Sequence, residues 1–257
     1  RDGDRLGFCL VKKAPEGRSG GLKGDIMRPR QRPQGLGLEL RRRTRLALGE
    51  APAIVLHAPI PVLVDAREIP GRGRLPGFGG DLDNWLFNVN TLAENHTVYA
   101  VDLPGHGRSV KSLTDASLAG LSKFVLEFMD ALSIDSANLI GHSLGGAIAM
   151  KTAITAPKRV KTITLIGSAG LGNEINMGYI DGFIGSESRR EIKPFLEELF
   201  FDRSLVGRQM IDDILKSKRL DNVTDVLRQL ADTVFKGGHQ AEALGDAAKA
   251  SGVPILA

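Results

Sequence analysis

The 257-residue sequence predicts an α/β domain with a doubly wound, mostly parallel sheet and helices on both faces. Three observations predict it: short apolar runs typical of buried strands, amphipathic helical stretches between them, and glycine-rich turns at the strand ends. Strands are expected at 98–101, 137–140 and 160–166, and helices at 118–132 and from 144 onward. Alternation at this spacing is typical of parallel sheets, whose ligands bind at the carboxyl ends of the strands.

The first 75 residues differ from the rest of the chain. They contain 16 Lys and Arg against 8 Asp and Glu, whereas residues 76–257 contain 18 against 22. They are rich in Arg, Gly and Pro, and their one apolar run, residues 53–64, is interrupted by Pro59 and Pro61. Because a central strand does not tolerate proline, we expect residues 1–75 to be a poorly ordered basic segment outside the domain.

The domain is expected to begin at residue 76. A glycine loop, GFGG at 77–80, is followed by an apolar helical stretch at 85–92 and by the strand at 98–101. That strand ends in a turn of breakers, DLPGHGRS at 102–109. Apolar residues then recur at helical spacing and predict a helix with one face on the sheet. They are Leu118, Leu121, Phe124, Val125, Phe128, Met129 and Leu132.

The most informative stretch is LIGHSLGGAIAM at residues 139–150. It predicts a buried strand, a sharp turn and a helix of small and apolar residues, with Ser143 on the corner. In the G-x-S-x-G pattern such a serine presents its hydroxyl beside the first free N–H groups of the helix. The pattern alone also fits a serine that merely caps the helix. Its position after a predicted parallel strand favours a nucleophile elbow.

Residues 174–239 show no strand pattern. Helical periodicity covers 189–200, 204–218 and 222–234, with large apolar residues among them. A helical excursion after a sheet strand predicts a cap that covers the site and shapes its pocket, although ordinary core helices would show the same pattern. A sheet-facing helix at 240–250 and then a short strand are expected to follow.

Composition argues against several classes of function. Cys9 is the only cysteine, which excludes internal disulfides and cysteine-ligated metal sites and fits the cytoplasm. The sequence has no run of about 18 apolar residues, so no membrane span is predicted. The arginines of the basic segment have no interleaved aromatic residues for base stacking, so nucleic-acid binding is not expected. No metal site, P-loop or dinucleotide motif is indicated.

Three motifs, in their order and spacing, resemble those of the α/β-hydrolase superfamily. They are GFGG at 77–80, DLPGHGRS at 102–109 and GHSLGG at 141–146. The resemblance implies the α/β-hydrolase fold with a helical cap, and an enzyme that moves acyl groups through a serine-bound intermediate.

Residues 77–88, 167–172 and 208–220 further resemble the carboxy-terminal domain of the dihydrolipoyllysine acetyltransferase subunit of acetoin dehydrogenase complexes. This resemblance covers about residues 76–257. It implies acetyl transfer from dihydrolipoamide to coenzyme A, with lipoamide and coenzyme A as substrates rather than as cofactors bound by this segment. It also implies a small acyl thioester or ester as the reacting molecule, and other subunits of such a complex as partners.

The same resemblance assigns roles to individual residues. Ser143 is the predicted nucleophile. The backbone N–H groups of Phe78 and Leu144 form the predicted oxyanion hole, where one donor contributes about 3 kcal/mol to transition-state stabilisation. The predicted substrate pocket is lined by Gly77, Gly79, Trp85 and His142. A plain core position would fit Trp85 equally well.

The sequence departs from the family in three places. The family has a buried strand and a His-Gly pair before the glycine loop, where Pro76 stands here. Its acid after the next sheet strand and its general-base histidine after the last one would both lie beyond Ala257. Its lipoyl domain carries an Asp-Lys-Ala turn, a tripeptide that this sequence lacks. We therefore expect a truncated fragment of a longer gene product, with residues 1–75 partly an out-of-frame reading.

Two alternatives stay open. The first is a free-standing esterase or carbon–carbon bond hydrolase, with water as the acyl acceptor. The second is a non-catalytic binding module that keeps the fold without a complete triad. A candidate for a substitute base is His239, at the end of the predicted cap. His57 and His96 are remote from the elbow in the pattern, and His106 lies in the turn at 102–109.

Overall fold

The computed structural model describes the backbone of residues 10–13 and 53–57, residue 92, and residues 97–107 and 109–257. Its strands are β1 Leu10–Lys13, β2 Ala53–His57, β3 Val98–Asp102, β4 Ala137–His142, β5 Val160–Ile166 and β6 Ile255–Leu256. They form one sheet in the order β1-β3-β2-β4-β5-β6. β1 is antiparallel to β3, and the other pairings are parallel. The predicted mostly parallel sheet is confirmed.

Strand β2 lies in the centre of the sheet, between β3 and β4. The prediction that Pro59 and Pro61 exclude a central strand from residues 53–64 is wrong for residues 53–57. The strand ends at His57, ahead of both prolines, so neither proline has to donate to the ladder. The backbone of His57 pairs in register with Asp102 on one side and His142 on the other. The strand and His-Gly pair that the family resemblance implies directly before the glycine loop would fall at residues outside the described part, so that departure stays a prediction.

Strand β1 also comes from the first 75 residues and forms the antiparallel edge of the sheet. The expectation that these residues stand outside the domain does not hold for Leu10–Lys13 and Ala53–His57. Residues 14–52 and 58–91 lie outside the described part. The domain boundary at residue 76 and the out-of-frame reading stay predictions.

The helices of the described part alternate with the strands and then form a group of their own. They are α1 Leu118–Ala131, α2 Leu144–Thr155, α3 Met177–Gly185, α4 Arg189–Glu197, α5 Arg208–Lys218, α6 Val223–Val234 and α7 Gly245–Ala250. Short 3-10 turns lie at Pro157–Arg159, Arg203–Leu205 and Lys236–Gly238. The helices predicted at 118–132, 189–200, 204–218 and 222–234 are observed with small differences at their ends, and the helix predicted at 240–250 covers only Gly245–Ala250. The helical stretch predicted at 85–92 lies outside the described residues except for residue 92. Helix α3 lies where the sequence shows only scattered apolar residues.

Helix α1 turns one apolar face to the sheet. Ser117 caps its start by accepting a hydrogen bond from the Gly120 N–H at 3.1 Å. The buried ring of Phe128 meets Tyr99 of β3 edge-on, with the ring centroids 6.1 Å apart. This packing supports the strand that leads into the 102–109 turn.

Helices α3 to α6 pack on one another and form a helical group, here called the cap. That the cap covers the site and shapes its pocket stays a prediction. Val226 of α6 reaches the turn that follows β3: its Cγ1 lies 2.3 Å from the position that a Cβ on Gly105 would take. Gly105 also has φ +84°, which favours glycine. Because the turn follows the carboxyl end of β3, this contact places the cap at the edge of the sheet where β4 also ends.

Lys218 of α5 is a buried cation of the cap, with 9% of its surface exposed. Its Nζ donates to the carbonyls of Ile184 at 3.1 Å and Ser186 at 2.6 Å, and to that of Phe183, whose ring lies 5.1 Å away. These carbonyls belong to the C-terminal end of α3, where positive charge is favourable. Burial lowers the pKa of Lys218 to about 8, so the amine stays mostly protonated at neutral pH.

We expect Lys218→Met to lower the free energy of unfolding by about 2 kcal/mol, because methionine fills the space but leaves these carbonyls without their donor. Lys216→Met, at an exposed lysine of the same helix, is the matched control, with an expected change below about 0.5 kcal/mol. Urea unfolding measures both variants. Equal stabilities of the two would contradict this role of Lys218.

Candidate active site

Ser143 occupies the corner between β4 and α2. Its backbone has φ 51° and ψ −122°. L-residues rarely adopt this conformation, and it costs on the order of 1–3 kcal/mol. The side chain is half-buried and makes no capping hydrogen bond with the helix. The capping role that the motif alone also fits is therefore absent at Ser143.

Hydrogen bonds from two sides hold the backbone of this corner. The Ser143 N–H donates to Ile166 O at 3.1 Å, at the end of β5. The Ser143 carbonyl accepts from the N–H groups of Gly146 and Ala169, each at 3.0 Å. Ala169 lies in the loop after β5. The strained residue is thus held by the neighbouring strand and its loop as well as by its own helix.

The glycines of the GHSLGG motif are required by close packing. A Cβ on Gly141 would lie 2.4 Å from the carbonyl oxygen of Gly145. A Cβ on Gly146 would lie 2.1 Å from Ser168 Oγ. Both distances are far below van der Waals contact, so a larger residue at either position would push α2 away from β4 or from the loop that holds Ser143.

Gly146→Ala is expected to lower the free energy of unfolding by about 1–3 kcal/mol, because the new methyl group overlaps the Ser168 side chain. Adding Ser168→Gly removes that side chain and is expected to restore part of the loss. The two single variants and the double variant form a cycle, measured by urea unfolding. Strictly additive effects would show that the predicted overlap does not govern stability here.

The first N–H groups of α2 belong to Leu144 and Gly145. Such groups have no acceptor within their own helix, and they favour negative charge close by. The Leu144 N–H is therefore placed, by its position in the helix, to serve as an oxyanion donor. Phe78, the predicted second donor, lies outside the described residues, so the oxyanion hole stays a prediction.

The predicted pocket residues are described only in part. Gly77, Gly79 and Trp85 lie outside the described residues. His142 is buried, with 3% of its surface exposed, and its Nε2 lies 3.6 Å from the position that a Cβ on Gly167 would take. Its ring thus lies beside the turn after β5. The assignment of these four residues to the pocket stays a prediction.

His106 lies in the turn after β3 and is 1% exposed. Its Nδ1 lies 3.1 Å from Pro104 O, and its Nε2 has no hydrogen-bond partner among the described residues. Burial lowers the pKa of His106 to about 4, and the positive charge of Lys111 acts in the same direction. The imidazole is therefore neutral at physiological pH, and a pKa this low makes it a poor general base.

Two open cavities lie among the described residues, and neither has Ser143 in its lining. One, of about 550 Å³, is lined by residues of α2, β5, α7 and β6, including Met150 and Leu165. The other, of about 500 Å³, lies at the base of the cap and is lined in part by Glu174 and His239. His239 is exposed there. We assign the acyl pocket to neither cavity.

The described residues contain no group of His, Cys, Asp and Glu side chains arranged to hold a metal ion. Within the same residues, no helix combines the length and the apolar character that crossing a bilayer requires.

Sequence reasoning missed the strand that ends at His57 and the polar contacts of Ser168 and Gln240. The apolar run AIVLH at residues 53–57 was the available signal for the strand, once the prolines after it are read as its end. Ser168 and Gln240 bind backbone groups, such as the carbonyl of Ala169 and the N–H of Gly170. Contacts of that kind require no particular partner residue and leave no motif.

Comparison with known proteins agrees with this architecture. A family model described as alpha/beta hydrolase fold matches residues 75–197. The solved structure of a meta-cleavage product hydrolase from Pseudomonas fluorescens IP01 is similar with a TM-score of 0.59 and 20% identity, covering 74% of this chain and 63% of that one. At this level of identity, the likeness concerns the fold alone.

Two curated relatives extend the comparison. The dihydrolipoyllysine-residue acetyltransferase component of the acetoin cleaving system of Cupriavidus necator is 49% identical over 180 residues, 70% of this chain and 48% of that protein. The 2-hydroxymuconate semialdehyde hydrolase of Pseudomonas sp. strain CF600 is 35% identical over 132 residues, 50% of this chain and 46% of that protein. The chain thus spans about half the length of the curated relatives it matches. By its sheet order, its strand-to-helix corner and these likenesses, the chain has the α/β-hydrolase fold.

Proposed function

We propose that this protein transfers acyl groups through an acyl-enzyme on Ser143, and that it passes an acetyl group from S-acetyldihydrolipoamide to coenzyme A. The observation that carries the proposal is the strained backbone of Ser143, held at φ 51°. Its side chain makes no capping hydrogen bond with α2. Strain of this kind persists where the surroundings over-determine it, and it clusters at active sites. The likeness to an acetyltransferase component supports acetyl as the group transferred.

The reaction consists of two half-reactions. Ser143 Oγ attacks the thioester carbonyl carbon while a general base takes its proton, and the C–S bond breaks as the dihydrolipoamide sulfur leaves and is protonated. The coenzyme A thiol then loses its proton to the base and attacks the serine ester. A new C–S bond forms, and Ser143 regains its proton as it leaves. The Leu144 N–H stabilises the negative carbonyl oxygen in both steps.

We assign no general base among the described residues. His106 is buried and neutral with a lowered pKa, His142 is buried beside the Gly167 turn, and His239 is exposed at the base of the cap. Because the chain spans about half the length of the curated relatives it matches, the activity is proposed for the full-length protein.

We infer other subunits of an acetoin-cleaving complex as partners, since the relative from Cupriavidus necator is named as a component of such a system. A carrier with a lipoyl group would deliver the acetyl thioester to Ser143. The single cysteine, Cys9, supports a cytoplasmic location.

A fluorophosphonate probe tests the nucleophile. We expect the complete gene product to gain one covalent adduct, mapped to Ser143 by peptide mass spectrometry. The Ser143→Ala variant is expected to gain none. An unlabelled Ser143 in folded wild-type protein would favour the non-catalytic module instead.

The acyl acceptor is tested with S-acetyldihydrolipoamide in the presence and absence of coenzyme A. We expect acetyl-coenzyme A as the main product and little free acetate. The competing proposal is a hydrolase that uses water, which the likeness to 2-hydroxymuconate semialdehyde hydrolase favours. Release of acetate at the same rate with and without coenzyme A would support that hydrolase.

A further inference from the structure

Residues 240–244, here called the return segment, lead the chain from the cap back to the sheet. The Glu242 carboxylate pairs with Lys151 Nζ of α2 at 2.6 Å. The Leu244 N–H donates to Gly170 O at 2.6 Å. The return segment is therefore bonded both to the helix that starts at Ser143 and to the loop after β5.

Gln240 begins the return segment. It binds both Glu174, where the cap begins in the sequence, and the loop after β5. Its Oε1 accepts from the Gly170 N–H at 2.6 Å, and its Nε2 donates to Glu174 O at 2.8 Å. Its own N–H donates to Asn173 O at 2.9 Å. Because the side-chain partners are one backbone N–H and one backbone carbonyl, they define which end of the amide is oxygen. One side chain thus joins the two points of the chain where the cap begins and ends.

Gly170 belongs to the loop that holds the nucleophile corner. Its neighbour Ala169 donates to Ser143 O at 3.0 Å. Gly170 has φ +84°, and a Cβ there would lie 3.1 Å from Met150 Cε of α2, so the loop is closely packed on that helix. A displacement of Gly170 would therefore move a backbone segment that is directly bonded to Ser143.

We propose that Gln240 is a positioning residue that clamps the base of the cap to the loop supporting Ser143, so that the cap and the nucleophile are set in place together. This inference rests on the proposed function, because it requires Ser143 to react. The amide oxygen binds Gly170 in the loop that supports Ser143, and the amide nitrogen binds Glu174 at the start of the cap. Substitution separates these two contributions.

Gln240→Met replaces the glutamine with a side chain of similar size that can make neither hydrogen bond. We expect kcat for acyl transfer to fall about 10- to 100-fold, because small displacements of reacting groups are costly. We also expect the Gly170 amide to exchange its hydrogen faster, since it loses its acceptor. Gln229→Met, the same change at an exposed position on α6, is the matched control and is expected to alter neither quantity.

Gln240→Glu keeps the acceptor for Gly170 but loses the donor to Glu174. We expect a smaller loss of kcat than in Gln240→Met, a raised KM because the cap side is released, and slow exchange at Gly170. A general loss of structure would instead change kcat, KM and exchange throughout the chain in both variants. If Gln240→Met does not fold, KM and exchange in Gln240→Glu decide the question.

The experiment uses the complete gene product and compares steady-state kinetics with hydrogen exchange. Wild-type kcat and unchanged Gly170 exchange in Gln240→Met would overturn the clamp, as would an unchanged KM in Gln240→Glu. Failure of the proposed function gives a different result: wild-type Ser143 is not labelled by the fluorophosphonate, although the Gly170 amide is still protected through Gln240. That result would also overturn the positioning of Ser143 by Gln240.

Discussion

Replacing Ser143 with glycine is expected to abolish acyl transfer and to stabilise the protein at the same time. Loss of the attacking hydroxyl is expected to lower kcat by roughly 10⁴-fold or more. Glycine adopts φ 51° without the steric cost that a serine Cβ incurs. Relief of that strain is expected to raise the free energy of unfolding by about 1 kcal/mol. A substitution that inactivates and stabilises is typical of a functional residue held under strain.

Two control variants separate the hydroxyl from the strain. Ser143→Ala keeps the Cβ, so it is expected to lose activity equally without becoming more stable. Ser133→Gly changes another serine with positive φ, 56°, just after α1. It is expected to stabilise the protein similarly and to keep full activity. Steady-state kinetics and urea unfolding measure these quantities, and an active Ser143→Gly variant would refute the role of Ser143 as nucleophile.

Acidification from pH 6.5 to pH 4 is expected to destabilise the protein by about 3 kcal/mol through His106 alone. Burial lowers the pKa of this imidazole from 6.5 to about 4 in the folded state. Below pH 6.5 the unfolded chain therefore binds a proton that the folded protein does not. The contribution of His106 to stability is fully present above pH 6.5 and is lost as the pH falls towards 4.

Urea unfolding at several pH values between 7.5 and 4 measures this effect. In His106→Gln, which cannot be protonated, the free energy of unfolding is expected to fall less steeply than in the wild type. His239→Gln, at an exposed histidine, is the matched control and should keep the wild-type slope. Carboxylates add their own pH dependence to all three proteins, so the difference between the curves isolates His106. Parallel curves for His106→Gln and wild type would contradict the prediction.

The location of His106 connects this pH dependence to the cap. Gly105, beside it, contacts Val226 of α6, and Ser109 Oγ donates to Asp102 O at 2.6 Å to close the turn. A protonated imidazole would bring an unpaired charge into this packed junction. We therefore expect acid to weaken the contact between the cap and the sheet edge as well as global stability.

The sequence by itself determined the parts of the fold whose signals are local. An apolar run, the glycines at 141 and 145 and the small residues after them are enough to predict the strand, the corner and the helix around Ser143. The period of the apolar residues in α1 and in α4 to α6 predicts those helices in the same way. These features depend on neighbours within a few turns of chain, so no knowledge of distant contacts is needed.

Only the tertiary structure decided that Ala53–His57 is a central strand and that Gln240 binds the loop beside Ser143. A strand is central because β3 and β4 pair with it, and both lie far along the chain. The Gln240 side chain bonds to backbone groups, which every residue supplies, so its partners carry no recognisable residue type. Interactions between distant segments through the backbone leave little trace in local sequence, and for that reason they emerge only when the chain is folded.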